Sequence, residues 1–359
     1  MSKLADLPLP PTLLRAIDKR GYVDATPVQD AVAHADAARD LLVTSQTGSG
    51  KTIAFGFAIA AATVDDAGVS TRSKKPRALV VAPTRELAQQ VARELEWLLK
   101  ETAARVATCV GGMDVRRELR ALHAGAEIVV GTPGRLRDHI ERKSLALDAV
   151  DVVVLDEADE MLDMGFREEL EAILAAAPDE RRTLLFSATF PKPLEALAKR
   201  YMKEPVRIAA NKLEEAHADI ETIAHVVALR EREHAVVNVL RLYDAPTALV
   251  FCATREGTEH MRAALVERGF LAVGLSGELS QGERNRALHA VREGKARVLV
   301  ATDVAARGLD LPAVALVVHA DPPQNSEVLR HRSGRTARAG KQGTAVLFVP
   351  PRLRRSIEQ

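Results

Sequence analysis

Leu41-Leu42-Val43-Thr44-Ser45-Gln46-Thr47-Gly48-Ser49-Gly50-Lys51-Thr52 is the stretch on which the fold turns. A short apolar run passes straight into a Gly-rich polar turn, and the turn opens the apolar stretch at residues 53–64. That order reads as strand, loop, helix. In such a loop the glycines let backbone N–H groups point at an anion, and the following helix N-terminus adds its dipole. Lys51 would then reach the β- and γ-phosphates of a nucleotide, and the Thr52 hydroxyl would hold Mg²⁺. The common form of this loop begins with Gly, where this chain has Ser45. A bare GSGKT on a surface would carry no such meaning; the strand before it and the helix after it supply the context.

The same alternation continues in both directions along the chain. RALVVAPT, RVATCV, EIVVGTP, VDVVVLDEAD and TLLFSAT follow in the first half, and TALVFCAT, AVGLSG, RVLVATD, LVVHAD and GTAVLFV in the second. These runs are apolar at nearly every position, as strands buried on both faces of a parallel sheet are. Helical stretches separate them, so the fold class is α/β with doubly wound parallel sheets. The 359 residues suit two domains better than one. The pattern breaks at AANKLEEAHAD, placing a linker at 209–219 between domains at 1–208 and 220–359. The polar ends of the strands all lie on their C-terminal side, where open α/β sheets bind ligands.

Asp156-Glu157-Ala158-Asp159 ends the most apolar of these runs. An acidic residue at a strand end opposite a phosphate loop holds Mg²⁺, directly or through water, which is the role expected of Asp156. Glu157 stands where a carboxylate can orient or deprotonate an attacking water. Alone, the four residues could equally be a solvated turn capping the next helix. Paired with the phosphate loop they predict phosphoanhydride hydrolysis.

Bulk properties exclude more than they identify. Fifty basic residues stand against 49 acidic ones, a net charge of +1, so any nucleic-acid site must be a local groove rather than a global field. Aromatic residues make up only 3%, which argues against base stacking as the main binding device. Cys109 and Cys252 lie far apart with no cluster of metal-ligand type, so neither a disulfide framework nor a zinc site is expected. There is no apolar leader, and residues 53–64 fall short of the roughly 18 apolar residues of a spanning helix. The expectation is a cytoplasmic protein with no membrane contact.

Taken in order, SQTGSGKT, PTREL, TPGR, the literal D-E-A-D at 156–159, SAT and HRSGRTAR resemble the DEAD-box RNA helicases of superfamily 2, and in particular a bacterial-type helicase core. The likeness runs from about Gly21 to Gly340. It implies two tandem RecA-like domains, ATP and Mg²⁺ as cofactors, single-stranded RNA and short RNA duplexes as partners, protein partners of a ribonucleoprotein, and a monomeric core. Thr26-Pro27-Val28-Gln29, with Tyr22 upstream, resembles the adenine-recognising motif; the Gln29 amide can both donate to and accept from the base edge. Pro83, Thr84, Arg85, Gly111, Gly112, Thr132, Pro133, Gly134 and Arg135 resemble the RNA-contacting motifs of the first lobe. Arg255, Gln281, Arg284 and Thr302 resemble those of the second, and Asp310 matches the ribose contact. Arg335 and Arg338 match the arginine fingers that stabilise the transferred γ-phosphoryl. His331 matches the residue bridging to Ser187-Ala188-Thr189, the motif that, with Asp159, couples hydrolysis to strand separation through an interlobe hydrogen-bond network. On a helix, arginines at every third residue of 332–338 would fan over about 120° of one face. Ser280 and Glu283 form a capping box that puts Gln281 and Arg284 on a first helical turn. Arg105, Arg116, Arg117 and Arg120 read as surface charge, and Trp97, His123 and His139 as packing or surface residues.

Three departures from the pattern stand out: Leu4 where an aromatic residue precedes the adenine motif, Leu329 where the last motif carries Tyr, and His319-Ala320-Asp321-Pro322-Pro323. None removes a catalytic group. The resemblance implies a cleft that closes on ATP and RNA, separates short duplexes locally and reopens on hydrolysis. A DNA-directed translocase shares the phosphate loop and acidic pair, and an ATP-gated RNA clamp shares every motif. The chain stops at PPRLRRSIEQ, just past the last strand, which suits either a whole protein or a core cut from a longer one.

Overall fold

In the computed structural model the chain divides into two compact units, Met1–Lys212 and Leu213–Gln359. The structure describes residues 2–45, 48–65, 67–209, 220–277, 279–306, 311, 314–337 and 342–353, the side chains of residues 327 and 353 excepted. Gln46, Thr47, Asp310, Arg338 and residues 210–219 of the expected linker lie outside the described residues.

The first unit is built on seven parallel strands: β1 Leu41–Thr44, β2 Ala78–Val81, β3 Val106–Cys109, β4 Ile128–Gly131, β5 Val152–Asp156, β6 Arg182–Ser187 and β7 Val206–Ala209. They run in the order β3-β4-β2-β5-β6-β1-β7, and each described pairing is parallel. Parallel neighbours need long crossovers, and helices supply them on both faces. The sheet is therefore covered twice. Leu41, Val43 and Val80 face one apolar core, and Leu42, Leu79 and Val81 face the other. Each such fully buried side chain stabilises the fold by about 1.5–3 kcal/mol relative to leaving it in water. Helix Lys51–Thr63 is apolar all round and buried along most of its length, the Phe55 ring meeting Phe186 of β6 edge-on.

The second unit repeats the plan with β8 Ile220–Val226, β9 Ala248–Phe251, β10 Ala272–Leu275, β11 Val298–Ala301, β12 Leu316–His319 and β13 Gly343–Val349, ordered β10-β11-β9-β12-β13-β8. It too has two cores, one on each face.

Sequence patterning missed β7 and β8. Both are edge strands whose residues are only intermediate or exposed, so neither carries the continuous apolar run that marks a strand buried on two faces. The arginine fan also needs correction: helix Ser326–Ser333 ends before Arg335, which falls in the turn after it. Gly334 and Arg335 close that turn through backbone bonds to Arg330 and Arg332, so Arg332 and Arg335 do not share one helical face. Among the described residues no helix is long and apolar enough to cross a membrane.

Candidate nucleotide and nucleic-acid sites

Strand order brings the nucleotide motifs together. In the sheet β6 lies between β5 and β1, and Ser45 N donates to the Ser187 carbonyl at 3.0 Å. The phosphate loop, the Asp156-Glu157 pair and Ser187-Ala188-Thr189 therefore leave neighbouring strands at one rim. Lys51 begins the helix after the loop and is 6% exposed. Its Nζ donates to Glu157 Oε1 at 3.1 Å and sits 2.9 Å from Asp156 Oδ1 in ion-pair contact. Burial works against the ammonium, but Asp156 and Glu157 outweigh it and hold the proton on Lys51 well above the usual lysine range. Asp156 is fully buried; that desolvation pushes its carboxyl up, Lys51 pulling the other way.

Two features mark this rim as built for more charge than the protein itself supplies. Asp156 Oδ2 is buried and has no hydrogen-bond partner among the described residues, and the Ser45 hydroxyl is in the same condition. A buried carboxylate oxygen left open costs free energy unless a cation or donor reaches it. Thr52, 9% exposed, follows Lys51 in the first turn of its helix. A hard-oxygen set of this kind fits Mg²⁺. Glu157 itself has φ +54°, a left-handed conformation rare for a residue with a Cβ. The turn aims its carboxylate back at Lys51.

Gln29 is buried on helix Pro27–Ala33 and is tied to this loop. Its Oε1 accepts from Thr26 N at 3.0 Å, while its Nε2 donates to the Gly50 carbonyl at 3.3 Å. Gly50 has φ +85°, and a Cβ there would lie 2.4 Å from Gln29 Nε2, so only glycine serves both contacts. The amide thus has one donor and one acceptor capacity left for a base. The Tyr22 ring, 48% exposed, lies 6.0 Å from Trp97, which also carries Arg20 over its face at 4.8 Å. Leu4 is 2% exposed and belongs to the core.

Asp159 gathers the coupling residues of the first unit. Its Oδ2 accepts from Thr189 N at 2.9 Å and from Thr189 Oγ1 at 2.8 Å, and its own N–H donates to Ser187 Oγ at 3.2 Å. The two hydroxyls thus bond within the unit, to one acidic residue. His331 lies in the last turn of helix Ser326–Ser333, and Arg335 is 6% exposed.

The candidate RNA motifs occupy the other half of the rim, after β3, β4 and β2. The Thr84 hydroxyl caps helix Arg85–Leu98 by accepting from Leu87 N at 3.3 Å, so Arg85 is fixed in the first turn. The Arg85 guanidinium lies on Gly111-Gly112. A Cβ at Gly112, where φ is +73°, would come 2.3 Å from Arg85 Nη1. Thr132 and Pro133 start helix Pro133–Glu141, Gly134 is exposed, and Arg135 Nη1 donates to Glu118 Oε2 at 2.7 Å. The second unit repeats this arrangement: Thr254 caps helix Arg255–Glu267 after β9, and Arg255 lies against Gly277 after β10, 3.5 Å from where a Cβ would be. The Thr-Arg-Glu at 84–86 and again at 254–256 is the sequence signal for this repetition. Ser280 and Glu283 form the expected capping box. Gln281 bonds Asn285 at 3.1 Å, Arg284 donates to the Ala305 carbonyl at 2.7 Å, and Thr302 Oγ1 accepts from Ala305 N at 3.3 Å.

Several supporting contacts join residues far apart in the sequence. Arg332, 4% exposed, is forked onto Asp303 with Nη2 2.7 Å from Oδ2, and it donates to the Asp321 carbonyl at 2.7 Å. Asp321 in turn pairs with Arg232 and accepts from Ala253 N. Buried His319 stacks on Phe251 at 6.1 Å. Arg105 is more than surface charge, because it neutralises the buried carboxylate of Glu127 at 2.9 Å. Arg116, Arg117 and Arg120 are exposed. Cys109, Glu118 and His139 bring ligand-type atoms within 4.8 Å of one another. Both His139 nitrogens are already engaged, Nδ1 with Ser144 Oγ and Nε2 with Glu118, and burial pushes the Cys109 thiol up to about 12. The cluster is a hydrogen-bonded knot rather than an ion site.

Known proteins place this architecture. Residues 26–197 match the DEAD/DEAH box helicase family and residues 231–340 the helicase conserved C-terminal domain. The DEAD-box ATP-dependent RNA helicase CshA of Bacillus cereus is 43% identical over 353 residues, 98% of this chain and 66% of that protein. The chain thus spans about two thirds of the length of this relative. A DEAD box protein from Methanococcus jannaschii is 35% identical, with a TM-score of 0.54 over 99% of this chain and 95% of that one. S. cerevisiae Dbp5, solved bound to RNA and ADP BeF3, superposes with a TM-score of 0.85 at 27% identity, covering 98% of this chain and 90% of that one. With the two RecA-like sheets, the phosphate loop facing Asp156-Glu157 and this extent of identity, the chain belongs to the DEAD-box ATP-dependent RNA helicases.

Proposed function

We propose that the chain is an RNA-stimulated ATPase, converting ATP to ADP and phosphate and coupling turnover to local, non-processive separation of short RNA duplexes or remodelling of ribonucleoproteins. The observation that carries this reading is the buried Lys51–Asp156–Glu157 cluster on the same strand-end rim as Arg85 and Arg135. CshA, a protein named as an ATP-dependent RNA helicase, and Dbp5, solved with RNA and ADP BeF3, support it.

In this reading ATP exchanges charges at the rim. Lys51 swings from the two carboxylates to the β/γ-phosphates, Gln46, Thr47, Gly48, Ser49 and Gly50 wrap them with backbone N–H groups, and Ser45 offers its hydroxyl. Thr52 and Asp156 would hold Mg²⁺, which would supply positive charge against the phosphates. Glu157, freed from Lys51, orients and deprotonates the attacking water. Gln29 reads the adenine edge, Tyr22 lies beside it, and Asp310 takes the ribose. Arg335 and Arg338 stabilise negative charge on the γ-phosphoryl. Asp159, Ser187, Thr189 and His331 couple this chemistry to RNA held by Pro83, Thr84, Arg85, Gly111, Gly112, Thr132, Pro133, Gly134 and Arg135 of the first unit, and by Arg255, Gln281, Arg284 and Thr302 of the second. The domains are 1–208 and 220–359 with the linker at 209–219, and the core acts as a cytoplasmic monomer.

Glu157→Gln tests the reading. It keeps a hydrogen-bonding group of the same size but no base, so ATPase should fall about a hundredfold or more, and multiple-turnover duplex separation should fall with it. Function retained by the variant while it stays trapped on RNA would favour a non-unwinding ATP-gated RNA clamp instead.

A further inference from the structure

Glu118 is an acidic residue placed beneath a rim that should attract phosphates, and it is 5% exposed. It lies on helix Val115–Ala124, pointing inward. Its Oε1 accepts from the Val110 N–H at 2.9 Å, on the residue immediately before Gly111-Gly112. Its Oε2 accepts from Arg135 Nη1 at 2.7 Å and faces His139 Nε2 at 2.8 Å. His139 is itself anchored on Ser144 Oγ at 2.8 Å. Burial would raise the Glu118 carboxyl, but His139, the Val110 N–H and Arg135 outweigh it and hold it below the usual range, so it stays ionised. One carboxylate therefore binds the loop after β3 to the helix after β4.

The energetics favour a positioning role over a merely structural one. A charge-assisted bond to a guanidinium fixes the plane of the fork as well as its distance. This bond draws on one end of the Arg135 side chain, which is 14% exposed. The Val110 bond fixes the Cys109–Val110 peptide, the entry to the Gly111-Gly112 turn on which Arg85 rests. A neutral side chain at 118 could accept from one partner but could not balance Arg135.

We propose that Glu118 is a positioning residue for RNA: it touches no RNA itself, but its single buried carboxylate sets Arg135 and the Cys109–Val110 peptide, which leads into Gly111-Gly112, at the spacing one bound strand requires. This rests on the reading that Arg135 meets RNA phosphate.

The test is a double-mutant cycle on the full chain, read as the RNA concentration for half-maximal ATPase, its salt dependence and the ATP KM. Glu118→Ala and Arg135→Ala should each raise the RNA requirement by about tenfold, one charge-assisted contact. Each should lower the salt slope by about 0.7, the value of one phosphate contact on a single strand. The double variant should be no worse than Arg135→Ala, Glu118→Gln should fall between, and ATP KM should hold within about twofold, as expected for a contact made to RNA alone. If Arg135→Ala is silent, the RNA reading of Arg135 fails and the proposal with it. If Arg135→Ala weakens RNA but Glu118→Ala is neutral, additive or tightens binding, Glu118 is a bystander or a repulsive charge and the proposal alone is overturned.

Discussion

Replacing Lys51 with Ala should do two separable things. The loss of a phosphate ligand should abolish ATP hydrolysis, as for any phosphate-loop lysine. The structure adds a second effect, in the absence of nucleotide. Lys51 is the counter-ion of Asp156 and Glu157 at 2.9 and 3.1 Å, with side chains 7%, 0% and 6% exposed. At an effective dielectric of about 20, each of these pairs carries roughly 5–6 kcal/mol of gross Coulomb attraction, partly cancelled by repulsion between the carboxylates. Removing one member of a buried ion pair costs about 3–5 kcal/mol net. For a unit of this size that is a fall in Tm of roughly 6–20 °C. Calorimetry of the full chain should show the first unit's transition moved down and the second unit's unmoved. The pH dependence supplies the sign. In the variant the Asp156 carboxyl, pushed up by burial and no longer pulled down by Lys51, sits above its unfolded range, so the folded state binds more protons, and stability is lost as pH rises and regained as it falls. The deficit at neutral pH should therefore shrink towards pH 5, and Asp156→Asn in the Lys51→Ala background should restore much of it. A Lys51→Ala chain that melts like wild type while losing ATPase would refute the charge-exchange argument.

Other changes probe single contacts. Gln29→Ala removes the donor to Gly50 O and the base-reading amide together, so ATP KM should rise about tenfold and discrimination against GTP should fall in parallel, both read from steady-state ATPase. Gly112→Ala puts a Cβ 2.3 Å from Arg85 Nη1 at φ +73°; titration with a fluorescent RNA strand should show weaker binding, with nucleotide affinity unchanged. His319 is buried neutral, and burial together with nearby Arg332 pulls it from 6.5 to about 3. Below pH 6.5 the unfolded chain takes the proton and the native state does not, so stability falls as pH drops. From pH 7 to 5 the loss should be about 2 kcal/mol in urea melts of the second unit, and His319→Phe should flatten it.

How much of this was legible in the sequence depends on what kind of force fixes each feature. The central strands announced themselves because burial on two faces demands apolar residues at every position, as in Val152-Val153-Val154-Leu155. Edge strands β7 and β8 escaped because hydrogen bonding to one neighbour defines them and leaves their composition free. Lys51, Asp156 and Glu157 were legible through chemistry that only a few residue types can perform. The contacts of Glu118, His139 and Arg332 were not, because they come from partners 17–29 residues away that local pattern does not disclose. Arg335 shows the limit from the other side: its spacing matched a helix, but the helix had already ended at Ser333.

RNA as the driver of ATP turnover is checked by measuring ATP hydrolysis with a single-stranded RNA and with DNA of the same sequence. RNA should stimulate turnover roughly tenfold or more while DNA does little, the 2′-hydroxyl being the group that separates them. Equal stimulation by both strands, or by neither, would contradict it.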